Sequence, residues 1–225
     1  MRLLIVSATG FEMTPLLNFL EENADKQSLY SYRYKQYLIH PLVTGVGSVN
    51  TALGLSRCEF IKEIDVAIQM GVAGAFDRKL PLGLTCDVVA DRFADLGVEE
   101  ADGSFTDVYE LSLCPPDTFP FENGWLNRGN TAIQTDLPTV NAITVNKVHG
   151  FAPSIERIEN KYKAQLESME GAAFFYTCRL MDVKCVQIRS VSNYVEPRNR
   201  AGWQLELAID NLNREVIRIL NTIES

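Results

Sequence analysis

The chain has 225 residues, with 21 Lys and Arg against 29 Asp and Glu for a formal charge of −8. It lacks the basic balance that attracts nucleic acid or anionic membranes, so a small-molecule substrate fits better. The length suits one large α/β domain able to bury roughly 70% of its unfolded surface. Five cysteines, odd in number and without a C-x-x-C pair, read as reduced, buried thiols of a cytoplasmic protein.

The apolar run at 1–8 is too short for a signal-peptide core and is expected to form a first strand over 3–7. Thr14-Pro15 resembles a cap residue followed by proline at the first helical position. That places Glu12 in the loop before the helix. A strand is expected at 37–44, a glycine loop at 45–48 and a helix at 49–62. The next strand is expected at 65–70, followed by the glycine-containing loop 71–75. Between 85 and 125 the pattern changes: a strand at 86–91 leads into an aromatic and acidic arm at about 91–126 with Phe93, Phe105, Tyr109, Phe119, Phe121 and Trp125. Such aromatics either cover a pocket or a partner subunit, or pack the arm on its own domain. Strands are expected at 132–133 and 142–145, and a helix at 154–163. Glu170 then heads a small-residue helix, and the apolar strand 183–192 leads to Asn193. Leu205, Ala208, Leu212, Val216, Ile219 and Leu220 share one face of an amphipathic helix over 203–223. Strands alternating with helices predict an α/β fold: a single domain with a mixed central β-sheet flanked by helices. No stretch approaches the roughly 18 apolar residues of a membrane span.

His40 and His149 are far apart in sequence and from any cysteine cluster, which leaves a metal without a ligand set. No G-x-S-x-G elbow occurs, and the glycine loops lack the Lys-Ser/Thr of a P-loop. What remains is Glu12, Glu170 and Asn193 at or near the C-terminal ends of strands, where open α/β sheets gather ligand contacts. Glu12 alone could equally be a helix N-terminal charge favoured by the dipole. Glu170, set among Met169, Gly171, Ala172 and Ala173, would be a buried carboxylate, costly unless paired.

The segments 7–12, 44–48, 71–74, 168–173 and 189–200 together resemble the nucleoside phosphorylase/hydrolase family that includes the methylthioadenosine/S-adenosylhomocysteine nucleosidases. Within it the tail at 193–200 and the segment 95–100 resemble the futalosine hydrolases. The resemblance implies hydrolysis of futalosine to dehypoxanthinyl futalosine and hypoxanthine in menaquinone biosynthesis, with no cofactor, no metal and a homo-oligomer. It assigns Glu12 to the attacking water and Glu170 to the ribose hydroxyls. It puts Met169 against the sugar and Val72, Ala73 and Gly74 among the substrate contacts. Phe151 would stack on the base or belong to the core, and Arg198 would face a substrate carboxylate.

The adenine-cleaving relatives use an aspartic acid where this chain has Asn193. An amide cannot supply a proton, but its NH2 can donate to O6 of hypoxanthine while its carbonyl accepts from a protonated N7. The source of the N7 proton stays unassigned. The alternatives are a 6-oxopurine nucleoside phosphorylase, against which no arginine lies within 10–13 or 71–75, and a nucleoside-binding sensor without catalysis.

Overall fold

The computed structural model describes residues 1–131 and 133–223. In chain order the elements are β1 (Arg2–Ser7), α1 (Gly10–Asn23), β2 (Asp25–Ser28), β3 (Ser31–Tyr34), β4 (Tyr37–Val43), α2 (Ser48–Ser56) and β5 (Val66–Ala75). They continue as β6 (Thr85–Asp91), β7 (Gly97–Glu99), β8 (Phe105–Asp107), β9 (Leu126–Asn127), β10 (Thr139–Thr144) and α3 (Ala152–Tyr162). The last are β11 (Leu166–Ser168), α4 (Gly171–Leu180), β12 (Lys184–Tyr194) and α5 (Leu205–Thr222).

A mixed sheet runs β11-β10-β6-β12-β5-β1-β4-β3-β2, and β11 also pairs with β5. That extra antiparallel seam, Leu166↔Ala75 and Glu167↔Gly74, closes five strands into a ring. The strands β4, β1, β5 and β12 run parallel, so their C-terminal ends share one edge. Alternation along the strands sends Leu3, Ile5, Ile68 and Ile188 to one face, where α1 and α5 pack with Met13, Leu16, Leu212 and Val216. Leu4, Val6, Ala67 and Cys185 go to the other face, against Leu55 of α2 and Phe174, Phe175 and Cys178 of α4. The result is the α/β domain the sequence predicts, with helices on both faces of the sheet.

Several boundaries differ from expectation for identifiable reasons. α1 begins at Gly10, because Thr9 caps it: its hydroxyl accepts from the Glu12 amide while the Glu12 carboxylate accepts from the Thr9 amide. Glu12 is therefore in the first turn of the helix, not in the preceding loop, and Pro15 lies inside it. α2 stops at Ser56, short of 62. From there Cys58, Ile61 and Ile64 are all buried, and their amides bond to Leu55, Cys58 and Ile61 carbonyls, a period of three that suits 3-10 geometry better than an α-helix.

The segment 71–75 is strand, not loop: β5 continues to Ala75, paired with β12 on one side and at its end with β11 on the other. Its glycines serve close approach, not turning. Of the strand expected at 132–133, Ala132 lies outside the described residues and Ile133 is in no strand. The hairpin β2–β3 has no counterpart in the sequence reading. In the arm, Phe93, Phe121 and Tyr109 form a chain of ring contacts with Tyr176 of α4, with centroids 5.6–6.5 Å apart, while Phe119 is exposed. No helix among the described residues is long and apolar enough to cross a membrane.

Candidate active site

The first turn of α1, the middle of β12 and the start of α4 bring Glu12, Arg189 and Glu170 around Gly71 of β5. Glu12 is only 7% exposed. Its Oε2 accepts from the Thr9 amide at 3.1 Å and the Thr9 hydroxyl at 2.8 Å, and its Oε1 from the Val72 amide at 3.1 Å. Asn213 of α5 donates to the Glu12 carbonyl at 3.0 Å, tying the first turn of α1 to the C-terminal helix. Glu170 is the N-cap of α4, where the helix dipole favours a carboxylate, and is 5% exposed. Its Oε1 accepts from the Gly47 amide at 3.0 Å and its Oε2 from Arg189 Nη1 at 3.3 Å. Gly47 has a φ of 92°, a conformation suited to glycine, and this aims its N–H at Glu170.

The sequence reading does not single out Arg189. Its side chain is 1% exposed and acts as a hub, donating from Nε to Gln187 at 3.0 Å, from Nη2 to Gln69 at 3.0 Å, and from Nη1 to Glu170 and to the Val72 carbonyl at 3.5 Å. Arg189 is in register with Gly71, and a Cβ there would overlap its guanidinium while meeting Glu12 Oε1 at 3.2 Å. The missing side chain makes the space. The signal is nonetheless in the sequence: Gln69, Gln187 and Arg189 interrupt strands that are otherwise apolar, and polar groups in such positions need each other.

The network continues inward. Gln187 Nε2 donates to Asp91 Oδ2 at 3.1 Å, and Asp91 Oδ1 accepts from Thr144 Oγ1 at 2.9 Å and from the Arg92 amide at 2.7 Å. Thr144 Oγ1 in turn accepts from the Ala172 amide of α4 at 2.8 Å. Burial pushes the Asp91 carboxyl up to about 6, against the opposing pull of Thr144, Gln187, Arg189 and the Arg92 amide. The native state then holds a proton that the unfolded chain releases between the ordinary carboxylate range and pH 6, so this group adds stability as pH falls. We expect the stability difference between wild type and Asp91→Asn to grow in favour of wild type by about 1 kcal/mol from pH 7 to pH 5. Urea melts at the two pH values check this, and a pH-independent difference would remove the titration.

Asn193 lies within β12, beyond a bulge: Val191 pairs with Ala73 and Asn193 with Gly74, leaving Ser192 as the extra residue. Bulges re-aim side chains, and here the following amide faces a cavity of about 50 Å³ lined also by Gly74, His149, Glu167, Arg198 and Trp203. Ser192 Oγ donates to Asn193 Oδ1 at 2.8 Å, and Asn193 Nδ2 donates to the Tyr194 carbonyl at 3.0 Å. One N–H and one lone pair of the amide stay available.

The remaining expected contacts divide. Met169 is half-buried beside Glu170, and its carbonyl accepts from Ser48 at 3.3 Å. Val72 touches Glu12 and Arg189 through its backbone, and the Ala73 carbonyl lies 3.3 Å from Ser192 Oγ. Arg198 lines the cavity with its guanidinium over the Trp203 ring at 5.5 Å. Phe151 is 65% exposed at the N-cap of α3 and belongs neither to the core nor to the cavity lining.

The profile of the phosphorylase superfamily matches residues 2–225. The chain is similar to a futalosine hydrolase of Thermus thermophilus, 30% identical and spanning 80% of each protein. It is also similar to a 5'-methylthioadenosine/S-adenosylhomocysteine nucleosidase of Maridesulfovibrio salexigens, 28% identical over 99% of this chain and 100% of that protein. Among solved structures, futalosine hydrolase of Helicobacter pylori matches with a TM-score of 0.77 at 15% identity, over 98% of this chain and 97% of that one. The 5'-methylthioadenosine/S-adenosylhomocysteine nucleosidase of Neisseria meningitidis, in complex with methylthio-immucillin-A, matches with a TM-score of 0.78 at 17% identity, over 98% and 99%.

Proposed function

This chain belongs to the phosphorylase superfamily, and from that premise we propose that it is a nucleosidase that hydrolyses the N-ribosidic bond of futalosine, releasing hypoxanthine and dehypoxanthinyl futalosine on the route to menaquinone. The observation that carries hydrolysis over phosphorolysis is the charge around Gly71. Two buried carboxylates, Glu12 and Glu170, flank a guanidinium that already spends its N–H groups on Glu170, Gln187, Gln69 and the Val72 carbonyl. Although no arginine lies within 71–75, one reaches Gly71 in space. It is committed, and the carboxylates beside it oppose an anionic nucleophile. Neutral water suits this site better than phosphate.

In this reading Glu12 orients water and takes its proton as it attacks C1′, and Glu170 accepts hydrogen bonds from the ribose 2′- and 3′-hydroxyls and favours the cationic sugar. Met169 packs on the sugar. Val72, Ala73 and Gly74 form the floor under the substrate, and Arg198 pairs with the carboxylate at the substrate's far end. The free N–H of Asn193 donates to O6 of the purine.

The full-length similarity to an S-adenosylhomocysteine-type nucleosidase supports a second reading, with an adenine nucleoside as substrate. Chromatography of released base from futalosine, inosine and methylthioadenosine, each with and without phosphate, separates the two. Phosphate-independent hypoxanthine release from futalosine is expected; adenine alone, or strict dependence on phosphate, overturns the proposal. For Asn193→Asp we expect the ratio of kcat/KM for adenine over hypoxanthine nucleosides to rise about ten- to hundredfold, the penalty of an unmatched buried polar group. An unchanged ratio removes Asn193 as the reader of the base.

A further inference from the structure

Expulsion of hypoxanthine needs a proton at the base, which an amide at 193 cannot give. We propose that His149, held by Glu167, is the acid that protonates the departing purine. The inference rests on the nucleosidase reading above and supplies its missing group.

The placement follows from the sheet. Gly74 near the end of β5 is in register with Asn193 of β12 on one side and with Glu167 of β11 on the other. Residues opposite one another across strands present their side chains to the same face, so the amide and the carboxylate flank the bare glycine about two strand spacings, or roughly 10 Å, apart. A Cβ at Gly74 would lie 3.2 Å from Asn193 Nδ2 and 3.0 Å from Val195 Cγ2, so glycine leaves this floor open. Glu167 is only 3% exposed, and both of its oxygens are used on one residue: Oε1 accepts from the His149 amide at 2.9 Å and Oε2 is paired with His149 Nδ1. This clamp fixes the ring and keeps a proton on Nδ1, leaving Nε2 as the nitrogen that can give one up. Among the described residues Nε2 has no protein partner, and His149 lines both the cavity beside Asn193 and an adjoining cleft of about 650 Å³.

The other groups around that cavity are less able to act. The Arg198 guanidinium lies over the Trp203 ring at 5.5 Å, and the Tyr194 ring lies under the Arg78 guanidinium at 4.7 Å. Glu196 is paired with Arg78 at 2.5 Å. Histidine is the side chain whose proton exchanges near neutrality.

The C1′–N9 electron pair leaves with the purine, the proton on His149 Nε2 passes to N7, and the neutral base departs. Water bonds to C1′ and yields its proton to Glu12. Exchange with solvent returns Glu12 and His149 to their starting states. His149 is thus a catalytic residue and Glu167 a positioning residue.

The test compares wild type with His149→Ala on a nucleoside that wild type cleaves and on its N7-methylated form, which leaves as a neutral base without an added proton. We expect kcat/KM to fall about 10²- to 10⁴-fold on the parent nucleoside and by only about a few-fold on the N7-methylated one. Glu167→Gln, which preserves size, should show the same contrast to a smaller degree and covers the case in which His149→Ala folds poorly. Equal losses on both nucleosides, or no loss on either, overturn the proposal. Cleavage of adenine nucleosides alone would overturn only the hypoxanthine reading, because the same comparison then runs on methylthioadenosine. Wild type that cleaves no nucleoside sinks both.

Discussion

Glu12→Gln is expected to lower kcat by about three orders of magnitude while nucleoside still binds. The substitution isolates charge from structure because of the motif Glu12 occupies. Its carboxylate closes a capping box with Thr9, and glutamine fills the same space with most of the bonds kept. The glutamine carbonyl can take the Val72 amide now bonded to Oε1 at 3.1 Å, and its NH2 can donate to the Thr9 hydroxyl. Only the Thr9 amide loses a partner, worth about 1–2 kcal/mol, which leaves the fold intact. What is lost is a base for the attacking water. Pre-steady-state and steady-state release of base, alongside calorimetric binding of a non-hydrolysable nucleoside analogue, check the pair of claims. Near-normal turnover by the Glu12→Gln enzyme would take water activation away from this residue.

Arg189→Met is expected to destabilise the protein by about 3–5 kcal/mol, the cost of removing one partner from a buried ion pair, and to lower the melting temperature by roughly 10 °C or more for a chain of this size. The volume is nearly kept; the harm is electrostatic. Glu170 would lose its cation, and Gln187 and Gln69 would lose the donors that satisfy them. Because the same arginine holds Glu170 Oε2, turnover should fall with stability, and Arg189→Lys should restore charge without the fork that reaches three side chains. Thermal melts and urea titrations of the two variants measure this. An Arg189→Met protein as stable as wild type would mean that the hub is not stabilising.

The sequence reading locates the elements well where periodicity is unbroken, as in β1, β4, β6 and α5. It misplaces boundaries where a local rule loses to a tertiary one. Thr14-Pro15 looks like a helix start, but Thr9 and Glu12 cap each other several residues earlier. The glycines of 71–75 look like a turn, yet pairing on both sides holds them in a strand. His40 and His149 enter the sequence reading only to argue against a metal site, and the clamp between His149 and Glu167 is invisible there. A contact across 18 residues of chain depends on how β11 returns to the sheet, which no short-range pattern encodes. Of the two places expected for Phe151, the core is excluded by its exposure, since nothing in a lone aromatic tells which side of a helix cap it will take.

The two-residue seam between β11 and β5 has a consequence for folding. Groups that must meet at the cavity come from positions as distant as Gly74 and Trp203, and the entropy of closing such long loops is unrewarded until the last strands pair. The pocket is therefore a property of the finished chain, with no partial version in a fragment or an early intermediate. A ligand that recognises it binds only the native state, and at about a hundredfold excess over Kd adds about 2.7 kcal/mol. That gain belongs to the whole cooperative unit and not to one segment.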